Sequence, residues 1–287
     1  MTLAQPTLAQ PFIADAPFTI GTRIREWVHD VVVLTRRNVQ HIAREPMQLS
    51  DVTVQPILFT VLFTYVFGAG MSLPGGGSYK EFVLGGVLTL NLTTSTVGSA
   101  VGVSSDMKSG VIERFRTLPM STTSILVART VSDLVSGLLC ALLVTAAGLA
   151  VGWRPHASAA SVVAAFGVVL LFSFSISWMS VCFGLAGSGP EAVQATAFIV
   201  LFPLSFISNA FVATQGMPRW LQTFADWNPV SAVAAATREL FSNPNPSSAV
   251  GAWPMQHPVV ASILWSIVII GVSAPTAAWI LRRRTTN

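Results

Sequence analysis

Charge is what this sequence lacks. Charged residues make up 10% of its 287 residues and apolar ones 52%, where an ordinary soluble chain carries about 25% charged. So few charges cannot cover the surface of a soluble protein of this size. A disordered chain is excluded as well, because the apolar content is high and the net charge is only +4. Cysteine is nearly absent. Cys140 and Cys182 both lie inside apolar runs, which excludes a disulfide framework or a cysteine-rich metal site. His29, His41, His156 and His257 are scattered outside the apolar runs and show no HExxH spacing, so no metal-ligating set is expected. No GxxxxGK[ST] occurs, so the chain does not hold nucleotide phosphates in the P-loop manner; Gly75–Lys80 has the glycines without the spacing. Residues 1–19 lack a basic stretch followed by an apolar core, so no cleaved signal peptide is expected there. What remains is a polytopic membrane protein.

Crossing the hydrocarbon core takes about 20 apolar residues. Six segments qualify, at about 52–70, 82–103, 131–152, 161–185, 192–212 and 259–281. Such long runs exclude a closed β-barrel, whose strands alternate over about 10 residues. The expected fold is therefore an all-α membrane protein of six transmembrane helices spread over residues 47–287, preceded by a disordered tail at 1–19 and an amphipathic helix at 20–46. Basic residues sit at the ends of the apolar runs and form no stripe, which argues against a nucleic-acid partner. With both termini cytoplasmic the inside carries twelve of them and the outside four, Lys80, Arg154, Arg219 and Arg238, the asymmetry that fixes topology. Arginine outnumbers lysine fourteen to two, a bias that points to a GC-rich, actinobacterial genome and so to a bacterial plasma membrane.

Three pieces outside the spans carry further information. In Ile20–Glu45 the residues Ile24, Trp27, Val28, Val31, Val39 and Ile42 fall near one helical face, and charged residues such as Arg23, Arg37 and Arg44 lie largely on the other. That pattern suits a helix lying in the cytoplasmic interface with Trp27 at headgroup level, broken by Pro46. The connection Ser104–Arg129 is far longer than a turn needs. Val111–Leu118 can form a short helix ended by Pro119, and Phe115, Leu118 and Met120 are apolar residues exposed in a cytosolic loop, a pattern typical of an interaction site. The outer connection Ala213–Pro258 offers two short helices, one opened by Pro218 and one by Pro229. Neither can span, so both are expected to dip into the outer leaflet or cap the bundle, with Trp220 and Trp227 at the interface.

Within the spans, ionisable groups are scarce. Asp133 follows Arg129 at i,i+4 at the start of the third span, which predicts a local ion pair. No charge is expected at mid-membrane, where ion-coupled transporters keep one, so energy for transport must come from elsewhere. Asn91, Thr94 and their neighbours make the second span unusually polar, fitting either helix–helix hydrogen bonding or substrate contact. Phe198, Phe202 and Phe206 form an i,i+4 stripe on the fifth, fitting either packing or a binding wall.

In order along the chain, Asp106, Gly110, Glu113–Arg116, Leu118–Ser121, Arg129 and Asp133, then Glu191–Ala192, Phe202–Leu204, Ser208–Phe211, Met217–Pro218, Trp220–Leu221, Trp227–Pro229 and Arg238 resemble the membrane subunits of type-2 ABC exporters, in their daunorubicin-resistance-like branch. The resemblance covers nearly the whole chain. It implies pairing with a second permease subunit, identical or related, and with two copies of a cytosolic ABC ATPase, which hold ATP and Mg, so that this chain itself binds no cofactor and has no catalytic residue. It further implies a coupling helix at Ile112, Glu113, Arg114, Phe115, Arg116, Leu118 and Pro119, with Arg23, Trp27 and Arg37 on a second docking element. A substrate path lined by spans one, two and five follows, with Asn91, Thr94, Phe198, Phe202 and Phe206 as candidates. Phe211, Trp220 and Trp227 become candidates for an outer gate. The expected cargo is an amphipathic drug-like or lipid-like molecule. Export of polysaccharide or cell-envelope precursors is a sibling reading. A membrane-embedded lipid-modifying enzyme, using Glu81, Asp226 and His257, or a non-transporting scaffold, are readings of other classes.

Overall fold

A computed structural model describes residues 20–71, 73–74, 76–110, 122–246 and 251–286. Among the described residues every regular element is helical. Helix α1 (Ile20–Arg44) stops at Glu45, whose extended backbone (φ −94°, ψ 104°) turns the chain into α2 (Pro46–Leu62) with Pro46 in its first turn. The direction continues through one π turn, Phe63–Phe67, and a last turn at Gly68–Gly70. Then follow α3 (Tyr79–Ser95), α4 (Val97–Lys108), α5 (Thr122–Ala150), α6 (Ala159–Ala186) and α7 (Pro190–Phe206). The end of the bundle opposite α1 carries α8 (Arg219–Trp227), α9 (Pro229–Leu240) and the short α10 (Trp253–Gln256), before α11 (Pro258–Thr286) returns.

Among the described residues four stretches are long and apolar enough to cross a membrane: Gln48–Gly70, Ser124–Ala150, Ala159–Ala186 and Pro258–Arg283. They match the first, third, fourth and sixth expected spans. The other two differ from a single rod. The expected second span, 82–103, is two helices meeting at Thr96. The cause is local: Thr89, Asn91, Thr93, Thr94, Ser95 and Thr96 all turn their side chains onto carbonyls three or four residues back in their own helix, and such back-bonding bends and weakens a helix. The expected fifth span, 192–212, ends as a helix at Phe206. Its last carbonyls are taken over by side chains: the Asn228 amide donates to Leu204 O at 2.6 Å and to Ile207 O at 2.7 Å, so the ladder has no reason to continue.

The core centres on α3, where Phe82, Leu84, Leu88 and Leu92 are buried together with Phe172 and Ile176 of α6 and Leu201 of α7. Helix α6 also packs along α11 through Val181, Leu185, Ala277 and Leu281. The outer connection does more than cap the bundle. Every residue of α9 from Val230 to Arg238 is buried, against α3, α6 and α11. The run Ser231–Thr237 is small enough to allow this, since small side chains let helix backbones approach closely in membrane proteins. Asn228 caps α9, its Oδ1 accepting from Val230 N at 2.9 Å.

Candidate functional site

At the α1 end, α1 docks on the start of α5. Val31 and Leu34 bury against Ala128, with Trp27, Ile125 and Val127 packed alongside, and the Thr35 hydroxyl donates to Ala128 O at 3.3 Å. Trp27 thus faces α5, and a second apolar flank, Ile24, Val28 and Val32, remains exposed. Arg23 falls in the first turn of α1, and Arg37 is exposed at the rim of a cleft lined by Leu34, Asn38, Val103, Asp106, Ile125 and Arg129. That cleft holds about 20 Å³ of enclosed space, room for about one water. The expected coupling residues Ile112, Glu113, Arg114, Phe115, Arg116, Leu118 and Pro119 lie outside the described residues. Their flanks do not: Lys108 ends α4 and Thr122 opens α5, both helices lining the same cleft as α1.

One turn further in, Asp133 ties three helices together. Its carboxylate accepts from Ser99 of α4 and from Ser177 of α6. The i,i+4 spacing predicts a direct ion pair with Arg129, but Arg129 does not form one. Its Nε donates to the same Ser99 hydroxyl at 3.2 Å and its Nη2 to Gly98 O at 3.1 Å, so Ser99 stands between acid and base. A second link just beyond, Ser180 to Thr96 at 3.0 Å, secures α6 to the break between α3 and α4. No residue of this joint except Arg129 and Asp133 is legible as special in the sequence, because serines on separate helices carry no mutual spacing.

At the opposite end, the chain from Ile207 to Phe211 lies directly on α3. Gly86 leaves no room there: a Cβ on it would come 1.8 Å from Ala210 O. Above this contact sits Arg238, fully buried. Its Nε donates to Phe82 O at 2.7 Å, Nη2 to Asn209 O at 2.9 Å and Ala210 O at 2.7 Å, and Nη1 to Asn209 Oδ1 at 3.3 Å. The guanidinium also lies 3.6 Å above the Phe82 ring. Among the described residues no carboxylate pairs with it; the one ion-pair contact there is His156 with Glu81 at 3.2 Å. Burial lowers the Arg238 pKa to about 9, and at neutral pH the group stays cationic. The Tyr79 hydroxyl, at the start of α3, donates to Phe211 O at 2.9 Å. Arg238 lies in the outer connection, outside the expected spans. Arg238 appears in the sequence as an outer cation and as the last residue of the family-like pattern, neither of which says that it is buried. The signal that could have singled it out is a cation inside a run of small residues that must be buried somewhere.

Phe211 stacks on Phe63, in the π turn of α2, with centroids 4.3 Å apart and planes at 16°. Phe206 lies 5.6 Å from Phe211 and stacks on Phe202 at 4.3 Å. Of the sequence candidates, then, Phe202, Phe206 and Phe211 stand together. Phe198, Phe202 and Phe206 are 44%, 52% and 45% exposed on the single chain, an open aromatic face. Asn91 is buried and Thr94 half-buried, each spending its donor on its own helix. Trp220 and Trp227 lie with Phe224 along the exposed face of α8, away from its buried Ala225 and Asp226. The three residues a lipid enzyme would need are tied to separate partners: Glu81 to His156, Asp226 to Thr214 and Ala252 N, and His257 beside the Trp253 ring.

Long apolar helices packed through small-residue seams are the build of an integral membrane protein. The family is settled by comparison: residues 29–241 match the family described as ABC-2 type transporter, and the chain belongs to it. It is 37% identical over 195 residues, 68% of this chain and 69% of the relative, to the daunorubicin resistance ABC transporter permease protein DrrB1 of Streptomyces coeruleorubidus. It is also 25% identical over 274 residues, 92% of both chains, to the probable doxorubicin resistance ABC transporter permease protein DrrC of Mycobacterium tuberculosis. The doxorubicin resistance ABC transporter permease protein DrrB of the same organism is 24% identical over 236 residues, 76% of this chain and 81% of the relative.

Proposed function

We propose that this chain is the membrane half of an exporter that moves amphipathic drug-like or lipid-like molecules out of a bacterial cell, energised by a separate cytosolic ABC ATPase that holds ATP and Mg. The observation that carries the reading is the open stripe Phe198, Phe202 and Phe206 on a member of the ABC-2 family, some of whose relatives are named for daunorubicin or doxorubicin resistance. The cleft that stands out within the chain has room for about one water. In this reading the drug-sized route lies between this chain and a second permease subunit, along the open aromatic stripe. In this reading α3 and α4 together form one crossing and α7 with its extension another, which makes six, with both termini cytoplasmic. Val111–Leu118 receives the ATPase, since the helices bracketing it meet α1 at one end of the bundle.

Inside-out membrane vesicles holding the chain and its ATPase should accumulate daunorubicin, followed by its fluorescence, only when ATP is present. Replacing Phe202 and Phe206 together by alanine should cut that uptake by about tenfold, the effect of losing aromatic contacts worth about 1.4 kcal/mol. Uptake that proceeds equally without the ATPase sinks the reading.

A further inference from the structure

Arg238 is the one fully buried cation among the described residues, and nothing in the export reading requires it. Its acceptors are all neutral and sit on two separate elements: one carbonyl in the first turn of α3 and three oxygens on Asn209 and Ala210. A lone buried charge is costly and is kept where its geometry does something. An apolar residue would fill the same space, and a lysine would bring a point charge, but only the planar fork of arginine can reach acceptors in several directions at once. The ground beneath the loop is equally specific. Gly86 admits the Ala210 backbone, and a Cβ on Gly85 would come 3.0 Å from Arg238 Cγ and 3.2 Å from Ala234 O. The loop therefore has no slack over α3. The next residue, Phe211, takes its place from this seat: its carbonyl is held by Tyr79 and its ring rests on Phe63, at the π turn that ends α2. Local π geometry in a helix frequently marks a functional position.

We propose that Arg238 is a positioning residue for closure of the bundle end opposite α1: by fastening Asn209 and Ala210 to the Gly85–Gly86 notch it holds the Phe211 ring against Phe63, the contact that closes the exit of the transport path. The word exit rests on the export reading; the clamp does not.

The test uses the full chain in native membranes with Phe63→Cys and Phe211→Cys in a background where Cys140 and Cys182 are serine. A short bismaleimide should join the two cysteines efficiently with Arg238 present. Arg238→Gln should lower the yield by at least about fivefold, the shift expected when a two-state contact loses a charge-assisted clamp, and Arg238→Lys should give an intermediate yield. Gly86→Ala, which lifts the loop from below with Arg238 intact, should act like Arg238→Gln, whereas Gly98→Ala, with open space around its Cβ, should leave the yield unchanged. A second pair, Thr35→Cys with Ala128→Cys, reports the distant α1–α5 seam and should crosslink equally in all variants. An unchanged Phe63–Phe211 yield in Arg238→Gln overturns the proposal. If that variant fails to accumulate, an unchanged yield in Arg238→Lys overturns it in the same way, because lysine cannot span both elements. A yield that falls together with the Thr35–Ala128 control also overturns it, since that pattern is general unfolding. ATP-dependent daunorubicin uptake, measured separately, judges the export reading without touching the crosslink result.

Discussion

Asp133 shows how one side chain in an apolar bundle acquires a structural task. Its carboxylate takes hydroxyl donors from α4 and α6, and Ser99 relays it to Arg129. Hydrogen bonds between membrane helices contribute about 0.6 kcal/mol each on average, so Ser177→Ala should lower stability by about that much. Asp133→Leu should cost on the order of 1–3 kcal/mol, because it leaves the Ser99 and Ser177 hydroxyls without their acceptor. Thermal unfolding of the detergent-solubilised chain compares the two, and equal losses would mean that Asp133 bears on Ser177 alone. Arg129 and Asp133 could be picked out by reading along the chain, because their spacing is local. Ser99 and Ser177 could not, since each gains its meaning only when three helices converge. Arg238 stands in the family-like pattern, but its burial could not be read for a related reason: among outer cations nothing local distinguishes one that turns inward.

Among the elements, hydropathy locates the four long apolar helices well, because each is set by its own length and composition. It fails where side chains compete with the helix backbone. The Thr-rich stretch before Thr96 opens α3 from within, and Asn228 with Arg238 draws off the carbonyls after α7. Helix α1 is a further case. Its amphipathic pattern is plain, yet the pattern does not say that Trp27, Val31 and Leu34 pack on α5 while Ile24, Val28 and Val32 stay exposed. The apolar part of that seam is the cluster of Val31, Leu34 and Ala128, so a charge placed there should favour local detachment of α1. Leu34→Asp should place a charge in that seam and raise trypsin cleavage at Arg36, Arg37 and Arg44 by about tenfold, with the remaining bundle intact, since proteolysis follows the population of the open form. Cleavage at the wild-type rate would mean that contacts other than the Leu34 face hold α1.

For the whole molecule, the export reading makes this chain one half of a larger machine. The two ends of the bundle are built differently. At one, a short polar joint links α4, α5 and α6 beside the docked α1; at the other, a buried arginine, two glycines and a chain of phenylalanines fasten a loop and α9 into the bundle. Between them an aromatic stripe lies open. On the proposed export reading, energy enters from an ABC ATPase at the α1 end and a second subunit covers the stripe. Its most direct test is the mass and composition of the complex released from the native membrane by a mild detergent. The account predicts two six-span permease subunits with two ABC ATPase chains, and loss of the ATPase chains on Glu113→Ala with Phe115→Ala while the permease stays folded. A folded chain that purifies with no ATPase, or one whose ATPase survives both substitutions undiminished, would contradict it.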